Sequence, residues 1–124
     1  MEQSWWIGLN TPSSKNGRVW TGTYFVASEN TQKWRKWTKL QWEIQKESFL
    51  EALKSVQKPY KIEFTFIRKS RHKFDYINLC QTIQDEMKFH KWIAEDDADE
   101  IKPYFGDYIY DKHNPGCLIK IINL

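Results

Sequence analysis

The alternation of apolar and polar residues predicts one clear β-strand near the middle of the chain. From Tyr60 to Phe66 every second residue is apolar, the residues between are polar, and the pattern ends at Arg68. A period of two is typical of a strand with one face against a core. Two shorter strands are predicted nearer the N-terminus, at Trp5–Ile7 and at about Tyr24–Ala27, separated by a loop rich in turn-forming residues.

A spacing of three to four residues predicts a first helix after the second strand. Ser28 or Asn30 can cap its N-terminus. The pattern resumes after Ser48, so the helix either continues or breaks there before Pro59 ends it. We interpret its tryptophans as core side chains rather than as platforms for stacked bases. The residues at helical spacing are Trp34, Trp37, Leu40 (or Gln41) and Ile44.

A second helix is predicted over about Tyr76–His90, followed by two more strands. The strands lie at about Tyr104–Tyr110 and Cys117–Ile122 and are predicted to pair with each other across residues 111–116. The order β-β-α-β-α-β-β predicts an α+β fold, in which a single domain spans residues 1–124 and two main helices pack on a mixed sheet. The residues of the second helix predicted to face the core are Ile77, Cys80, Ile83, Gln84 and Met87.

Composition narrows the class of protein. With 124 residues, 40% of them apolar, the chain can bury one sizeable core. Its two cysteines are far apart and lack the spacing of zinc ligands, which favours a reducing cytoplasm. No apolar stretch approaches the roughly 20 residues that cross a bilayer, and no glycine-rich phosphate loop is present. We therefore expect a cytoplasmic protein without a membrane span or a nucleotide cofactor.

Charge is segregated along the chain, although the net charge is only +3. A basic run, Arg68–Lys73, is followed after the second helix by an acidic segment, Glu95–Glu100. Either run alone is commonly a solvated surface. Together they favour a site that cuts nucleic acid, because such a site needs cations to attract phosphates and hard oxygen ligands to hold a divalent metal ion.

Asp75 stands at the predicted junction of the long strand and the second helix. It is either an ordinary helix cap or a carboxylate that faces a cleft at the end of the strand. Because the helix reverses the chain direction, we expect one or two acidic-segment aspartates to approach Asp75 and bind Mg²⁺ or Mn²⁺ with it; the alternative is a solvated acidic loop. The candidate metal ligands are Asp75, Asp96, Asp97 and Asp99, and the first three of these are the candidate catalytic residues.

Several segments, taken in order, resemble the RusA-like family of Holliday-junction resolvases, found in bacteria and their phages. Pro12–Asn16 is similar to the Pro-Ser-x-x-Asn loop near the family's N-terminus, and Val26–Ser28 is similar to its next block. The basic run followed by Asp75-x-x-Asn78, and later by Asp96-Asp97, is similar to its catalytic core. The likeness spans most of the chain, and its specificity lies in the order and spacing of the motifs.

The catalytic core departs from the family pattern at two positions. That pattern is Asp-x-Asp-Asn-x-x-Lys, followed by an Asp-Asp pair after the helix, which can be matched here to Glu95-Asp96 or to Asp96-Asp97. Asp75, Asn78 and, on the helix, Asp85 have counterparts in it, but Ile77 stands at the second Asp and Gln81 at the Lys. A metal ligand and a cation that would stabilise the transition state are thus replaced. The candidate supporting residues form one polar stripe of the helix: Asn78, Gln81 and Asp85.

The resemblance implies an endonuclease that resolves Holliday junctions by metal-dependent hydrolysis in DNA recombination and repair, with Mg²⁺ or Mn²⁺ as cofactor. It also implies a homodimer acting on branched DNA, because two symmetric strands are cut, in the cytoplasm of a bacterium or a phage-infected cell. Arg71 or Lys73 would then replace the missing Lys. The alternative is a RusA-like protein that binds branched DNA or a protein partner without cutting, with Ile77 turned into the core. The candidate DNA-binding residues are Lys15, Asn16, Arg18, Arg68, Lys69, Arg71 and Lys73.

Overall fold

The computed structural model describes residues 3–14, 18–20 and 25–122, and of residues 18–20 and 25–27 it describes the backbone alone. These residues form seven strands and two helices in the order β-β-β-α-β-α-β-β-β. Their bounds are β1 (Trp5–Gly8), β2 (Arg18–Trp20), β3 (Phe25–Ala27), α1 (Glu29–Leu53), β4 (Tyr60–Arg68), α2 (Tyr76–Phe89), β5 (Ile101–Phe105), β6 (Ile109–Tyr110) and β7 (Gly116–Ile121).

β4 lies at the centre of a five-stranded mixed sheet. On one side it pairs antiparallel with β7, which in turn pairs antiparallel with β1. On the other side β5 and β6 both pair with β4 in parallel, β5 along its first half and β6 at its end. β2 and β3 form a separate antiparallel pair, and β2 was not predicted from the sequence. The predicted α+β fold with a mixed sheet and two helices is confirmed.

The predicted pairing of the last two strands is wrong. The segment expected at Tyr104–Tyr110 is divided into β5 and β6, and both parts pair with β4 instead of β7. The reason is that α2 carries the chain back along the sheet, so the next strand runs parallel to β4 and forms a β-α-β unit with it. Gly106 lies at the break, where its N–H donates to the carbonyl of Phe64 at 3.1 Å. A Cβ there would lie 2.6 Å from Oγ1 of Thr65, so the close approach requires glycine.

α1 continues through Ser48, which settles the alternative left open by its sequence. Ser28 is the N-cap, and its hydroxyl accepts a hydrogen bond from the N–H of Thr31 at 3.2 Å. The predicted core stripe is wrong at three positions, since Trp37, Leu40 and Ile44 are 62–69% exposed. The buried residues of α1 lie on a different stripe, namely Thr31, Trp34, Thr38, Trp42, Phe49, Ala52 and Leu53.

The hydrogen bonds of Thr38 explain why a stripe of α1 that contains this polar residue can face the core. Its hydroxyl donates to the carbonyl of Trp34 at 2.9 Å and accepts from the indole N–H of Trp42 at 3.3 Å, so no polar atom of Thr38 is buried without a partner. On the adjacent part of the helix, Gln41 and Gln45 bind the backbone of β1. The polar residues of α1 thus fix which side of the helix meets the sheet.

In α2 the predicted core residues are confirmed except at the start of the helix. Cys80, Ile83, Gln84 and Met87 are buried, whereas Ile77 is 69% exposed. Gln84 lies seven residues after Ile77 and so points to nearly the same side of the helix. This side of α2 is buried at Gln84 but exposed in the first turn, at Ile77. The expectation that Ile77 has joined the core is therefore wrong, and Leu79, fully buried, takes that role.

One hydrophobic core joins both helices to one face of the sheet. Trp42 and Phe49 of α1 pack edge-on and face-on against Trp92, with ring centroids 5.0 and 4.6 Å apart. Both cysteines are buried in this core, where burial raises the pKa of the Cys80 thiol to about 12 and that of Cys117 well above its usual value. Neither described helix combines the length and apolar character that crossing a bilayer requires.

Candidate nucleic-acid interface

An open cleft of about 850 Å³ lies where β4 ends and α2 begins. We call it the basic cleft, because three of its described lining residues are the cations Arg68, Arg71 and Lys73, while Asp75 supplies the one carboxylate among them. Three positive charges against one negative leave an excess of two. The other described lining residues are Ser13, Phe74, Tyr76, Asn78 and Tyr108. A cleft with an excess of positive charge concentrates anions, and phosphates in particular.

Aromatic rings form the floor of the basic cleft. Phe74 makes edge-to-face contacts with Tyr76 and Tyr108, at centroid distances of 5.4 and 5.0 Å. Tyr76 stacks on Phe105 at 5.2 Å, and its hydroxyl accepts a hydrogen bond from the N–H of Tyr108 at 3.2 Å. These contacts join the residues after β4 to those between β5 and β6. The floor is therefore held mainly by aromatic packing.

Arg68 holds the cleft together as well as contributing charge. Its guanidinium donates to the carbonyl of Thr11 at 2.6 Å and lies over the ring of Phe74, 5.0 Å from the centroid. Burial lowers the pKa of Arg68 from its ordinary value, but an arginine remains charged at neutral pH. Two of its contacts are thus internal, so we assign Arg68 to positioning the loop after β1.

The more exposed cations of the basic run are Lys69, Arg71 and Lys73. Arg71 lies over the ring of Tyr110 at 4.5 Å, an arrangement that orients its guanidinium without removing it from solvent. The backbone N–H of Lys69 donates to Oδ1 of Asn10 at 3.0 Å, which fixes the chain while the ammonium stays exposed. These three side chains are the ones best placed for phosphate contacts.

The loop after β1 docks on the first turns of α2. The N–H of Ser14 donates to the carbonyl of Asn78 at 3.1 Å, and the hydroxyl of Thr82 donates to the carbonyl of Pro12 at 2.8 Å. Ser13 thereby lines the basic cleft beside Asp75. Of the predicted DNA-binding residues, Lys15 and Asn16 lie outside the described residues, and of Arg18, in β2, only the backbone is described.

Asp75 occupies the N-cap position of α2, but its side chain makes no capping hydrogen bond. Its carboxylate instead accepts from the side-chain amide of Asn78 at 3.2 Å, and Asp75 is exposed. Asp75 therefore stands at the cap position, but its side chain does not cap the helix. The carboxylate faces the cleft with one fixed partner and further oxygen lone pairs open to a ligand.

The rest of the polar stripe on α2 forms a separate pair. The amide of Gln81 donates to Oδ1 of Asp85 at 2.7 Å. Asp85 lies ten residues after Asp75, about 15 Å along the helix axis at 1.5 Å per residue. Only Asn78 of the three candidate supporting residues is thus in contact with Asp75, whereas Gln81 and Asp85 pair with each other on later turns.

The acidic segment shapes the turn that leads into β5. Oδ1 of Asp97 accepts from the N–H groups of Asp99 and Glu100, both at 3.1 Å. Glu100 is buried and forms an ion pair with Lys58 at 2.7 Å. At the start of the segment, Glu95 and Asp96 both pair with Lys88 at the end of α2, at 3.7 and 3.8 Å. Of the candidate ligands here, Asp96 and Asp97 have structural contacts, and Asp99 is exposed.

Asp75 and the acidic segment do not meet. The N–H of Tyr60, at the start of β4, donates to the carbonyl of Glu100 at 2.8 Å, whereas Asp75 follows Arg68 at the other end of the strand. β4 has nine residues, which span about 26 Å at 3.3 Å per residue. The chain reversal by α2, from which an approach was expected, instead carries the acidic segment to the opposite end of the sheet.

A metal site with several carboxylates is therefore not formed by one copy of the described chain. Among the described residues no group of three or more His, Cys, Asp or Glu side chains is placed to hold a metal ion. Mg²⁺ in proteins is bound through one or two carboxylates with further oxygen ligands. Asp75 alone, next to the amide of Asn78, does not fit the ligand set that the family pattern predicts.

No protein-family model matches the chain, and no curated protein matches it significantly.

The sequence reading missed the aromatic and polar residues that build the cleft. Tyr108 follows the end of β5, and its position depends on the parallel pairing that the sequence did not predict. Asn10 and Thr11 contribute through backbone and amide groups, which leave no pattern in the sequence. Phe74 and Tyr76 flank Asp75 directly, and their place beside a basic run is the signal that points to them.

Proposed function

We propose that this protein binds branched DNA through the basic cleft, without cutting it. The observation that carries the proposal is the set of three cations around an open cleft with one carboxylate. Binding of this kind relies on the phosphate backbone and on the release of counterions, so it is sensitive to salt. Contacts of Lys and Arg with phosphates hold DNA in place but give little sequence readout, so DNA shape would decide selectivity.

The preference for branched DNA rests on the likeness to the RusA-like family. Two of the segments that carry this likeness, the loop at Pro12–Ser14 and the core at Asp75–Asn78, are in contact through one backbone hydrogen bond, from the N–H of Ser14 to the carbonyl of Asn78. Their proximity supports a RusA-like site. The Asp96-Asp97 pair, another of these segments, lies at the other end of the sheet, and this separation favours binding over hydrolysis.

We further propose that the protein acts as a homodimer. The strands of a four-way junction are related by two-fold symmetry, and a symmetric pair of basic clefts would engage two of them at once. Analytical ultracentrifugation of the protein, alone and with one equivalent of junction, tests this. Two copies per junction are expected, and a single copy at saturation would contradict the proposal.

Binding is tested by fluorescence anisotropy with a labelled four-way junction and a linear duplex of the same length, at several salt concentrations. The junction is expected to bind more tightly, and its affinity is expected to fall steeply with salt. Arg71→Ala and Lys73→Ala should each weaken binding and lower the slope of log K against log salt by about 1. Lys61→Ala, an exposed lysine at the opposite end of β4, is the matched control. Equal losses in all three variants, or none, would refute the role of the cleft.

Cleavage, the activity first expected from the resemblance, is tested in the same samples. Incubation with Mg²⁺ or Mn²⁺ is expected to leave a four-way junction intact. Symmetric nicks that disappear in Asp75→Asn, while affinity is retained, would instead support the metal-dependent resolvase. Asn keeps the size of the side chain and removes its charge, so this variant separates the two functions.

A further inference from the structure

A second and smaller pocket, of about 230 Å³, lies beside the first turns of α1. We call it the Trp37 pocket. Trp34 and Trp37 form its helical side, Asn10 and Asn30 add side-chain amides, and Lys69 of the basic run contributes the cation. Sites for drug-sized ligands occupy about 300–1,000 Å³. The Trp37 pocket is smaller, and its volume suits one planar ring system.

Trp37 presents an aromatic surface to solvent. Its side chain is 62% exposed, a large value for an indole, because the core-facing stripe of α1 runs through Trp34 and Thr38 instead. Trp34 is 3% exposed, and its indole N–H has no hydrogen-bond partner within the described part of the chain. Buried donors are nearly always paired in folded proteins. The pocket thus offers the exposed aromatic face of Trp37 beside the buried side chain of Trp34.

The polar groups of the pocket suit the edge of a nucleobase. Oδ1 of Asn10 is occupied by the N–H of Lys69 at 3.0 Å, which fixes the amide and leaves its NH₂ group as a donor. Asn30 is exposed in the first turn of α1. Side-chain amides bind base edges through paired donors and acceptors. A ring stacked on Trp37 would therefore find hydrogen-bonding groups beside it.

The Trp37 pocket and the basic cleft are lined by consecutive residues of the basic run. Lys69 lines the pocket and its chain neighbour Arg68 lines the cleft, and their Cα atoms are about 3.8 Å apart. The loop that separates the two sites is held by both residues, through Asn10 and Thr11. A strand whose phosphates follow the basic run would pass the mouth of the pocket.

We infer that the Trp37 pocket receives an unpaired base of the DNA strand held by the basic run. The inference rests on the proposed function. A base that is already unpaired costs less to unstack than a paired base within a duplex, and an open branch point offers such bases. Stacking on an aromatic side chain is tolerant of base identity, because every base has a π-face. The pocket would thus give the protein a preference for branch points over continuous duplex.

The test compares Trp37→Ala with Ile44→Ala, because Ile44 is 69% exposed on the same helix and does not line the pocket. The probes are a single-stranded oligonucleotide, a linear duplex, and a four-way junction carrying 2-aminopurine at the branch point. Trp37→Ala is expected to weaken binding to the single strand by roughly 5-fold or more and to leave duplex binding unchanged. Trp37→Phe retains a ring and should lose less. Wild-type protein should quench 2-aminopurine, and Trp37→Ala should not.

The outcomes separate this inference from the proposed function. If the wild-type protein binds no DNA, both are wrong. If it binds duplex with the expected salt dependence but Trp37→Ala binds single strands like wild type, or 2-aminopurine is not quenched, only the base pocket is refuted. Equal effects of Trp37→Ala and Ile44→Ala, accompanied by a loss of self-association, would assign this face of α1 to contacts between copies and would also refute the base pocket.

Discussion

Replacing Ile77 by Asp introduces the carboxylate that the RusA-like pattern has at this position, and the structure predicts that the fold tolerates it. Ile77 is 69% exposed. Since full burial of an isoleucine side chain contributes about 1.5–3 kcal/mol, the third that is buried contributes about 0.5–1 kcal/mol. Ile77 lies in the first turn of α2, which contains no acidic residue. A carboxylate there contributes about 0.3–1 kcal/mol through the helix dipole.

The two contributions nearly cancel, so the free energy of unfolding of Ile77→Asp is expected to lie within about 1 kcal/mol of wild type. Urea denaturation followed by tryptophan fluorescence measures it. Ile44→Asp is the matched control, because Ile44 has the same exposure but lies in the interior of α1, away from the helix N-terminus. Ile77→Asp should be the more stable variant of the two. A loss above about 2 kcal/mol at Ile77 alone would show that its side chain is buried in solution, for example against a second copy.

Two further predictions concern stability. Gln45→Ala removes two hydrogen bonds to the backbone of Trp6, at 3.0 and 2.8 Å. It should lower the free energy of unfolding, measured by urea denaturation, by about 1–3 kcal/mol. A loss below about 0.5 kcal/mol would contradict the contribution assigned to these hydrogen bonds. Burial raises the pKa of Glu86 despite its ion pair with Arg35 at 3.1 Å, so the native state holds this proton more tightly than the unfolded state. The contribution of Glu86 to stability should therefore be largest below its unfolded pKa of about 4.3 and should decline as pH rises through its raised folded pKa. The variant Glu86→Gln does not titrate at this position. The free energy of unfolding of the wild type, minus that of the variant, should therefore fall as pH rises over this window. A rise in this difference would refute the assignment.

The sequence was most informative where a periodic pattern coincided with burial. β4 has its predicted bounds, because one face meets the core along its whole length and apolar residues mark that face. Strand pairing was not predictable in the same way. Whether the segment after residue 104 pairs with β7 or with β4 depends on how α2 returns the chain, and no residue in either strand records that choice.

The helix α1 shows why apolar spacing alone is ambiguous. Trp37, Leu40 and Ile44 have helical spacing and yet face solvent, whereas the buried stripe includes Thr38. The deciding interactions are hydrogen bonds between polar side chains and distant backbone groups, such as those of Gln45 with β1. Such contacts depend on the tertiary structure and leave no periodic signal.

The candidate site was predictable in its local part and not in its distant part. Asp75, Asn78 and the basic run are close in sequence, and the strand-to-helix junction holds them at one cleft. The acidic segment was expected there because a helix reverses the chain. The same reversal, in a β-α-β unit, places the residues before the next strand at the far end of the sheet, where Asp97 and Glu100 form the turn into β5.

The glutamine contacts on β1 also bear on how the protein behaves at high concentration. Gln45 hydrogen-bonds to the N–H and the carbonyl of Trp6, and Gln41 accepts from the N–H of Gly8. A strand from another molecule would need these same backbone groups in order to pair with β1. At the opposite edge β5 contains Pro103, which has no N–H to offer. Exposed sheet edges promote ordered aggregation. Both edges of the five-stranded sheet therefore have fewer backbone groups available for pairing with another strand. This protects a protein whose strands are rich in aromatic residues against forming sheets that extend across several molecules.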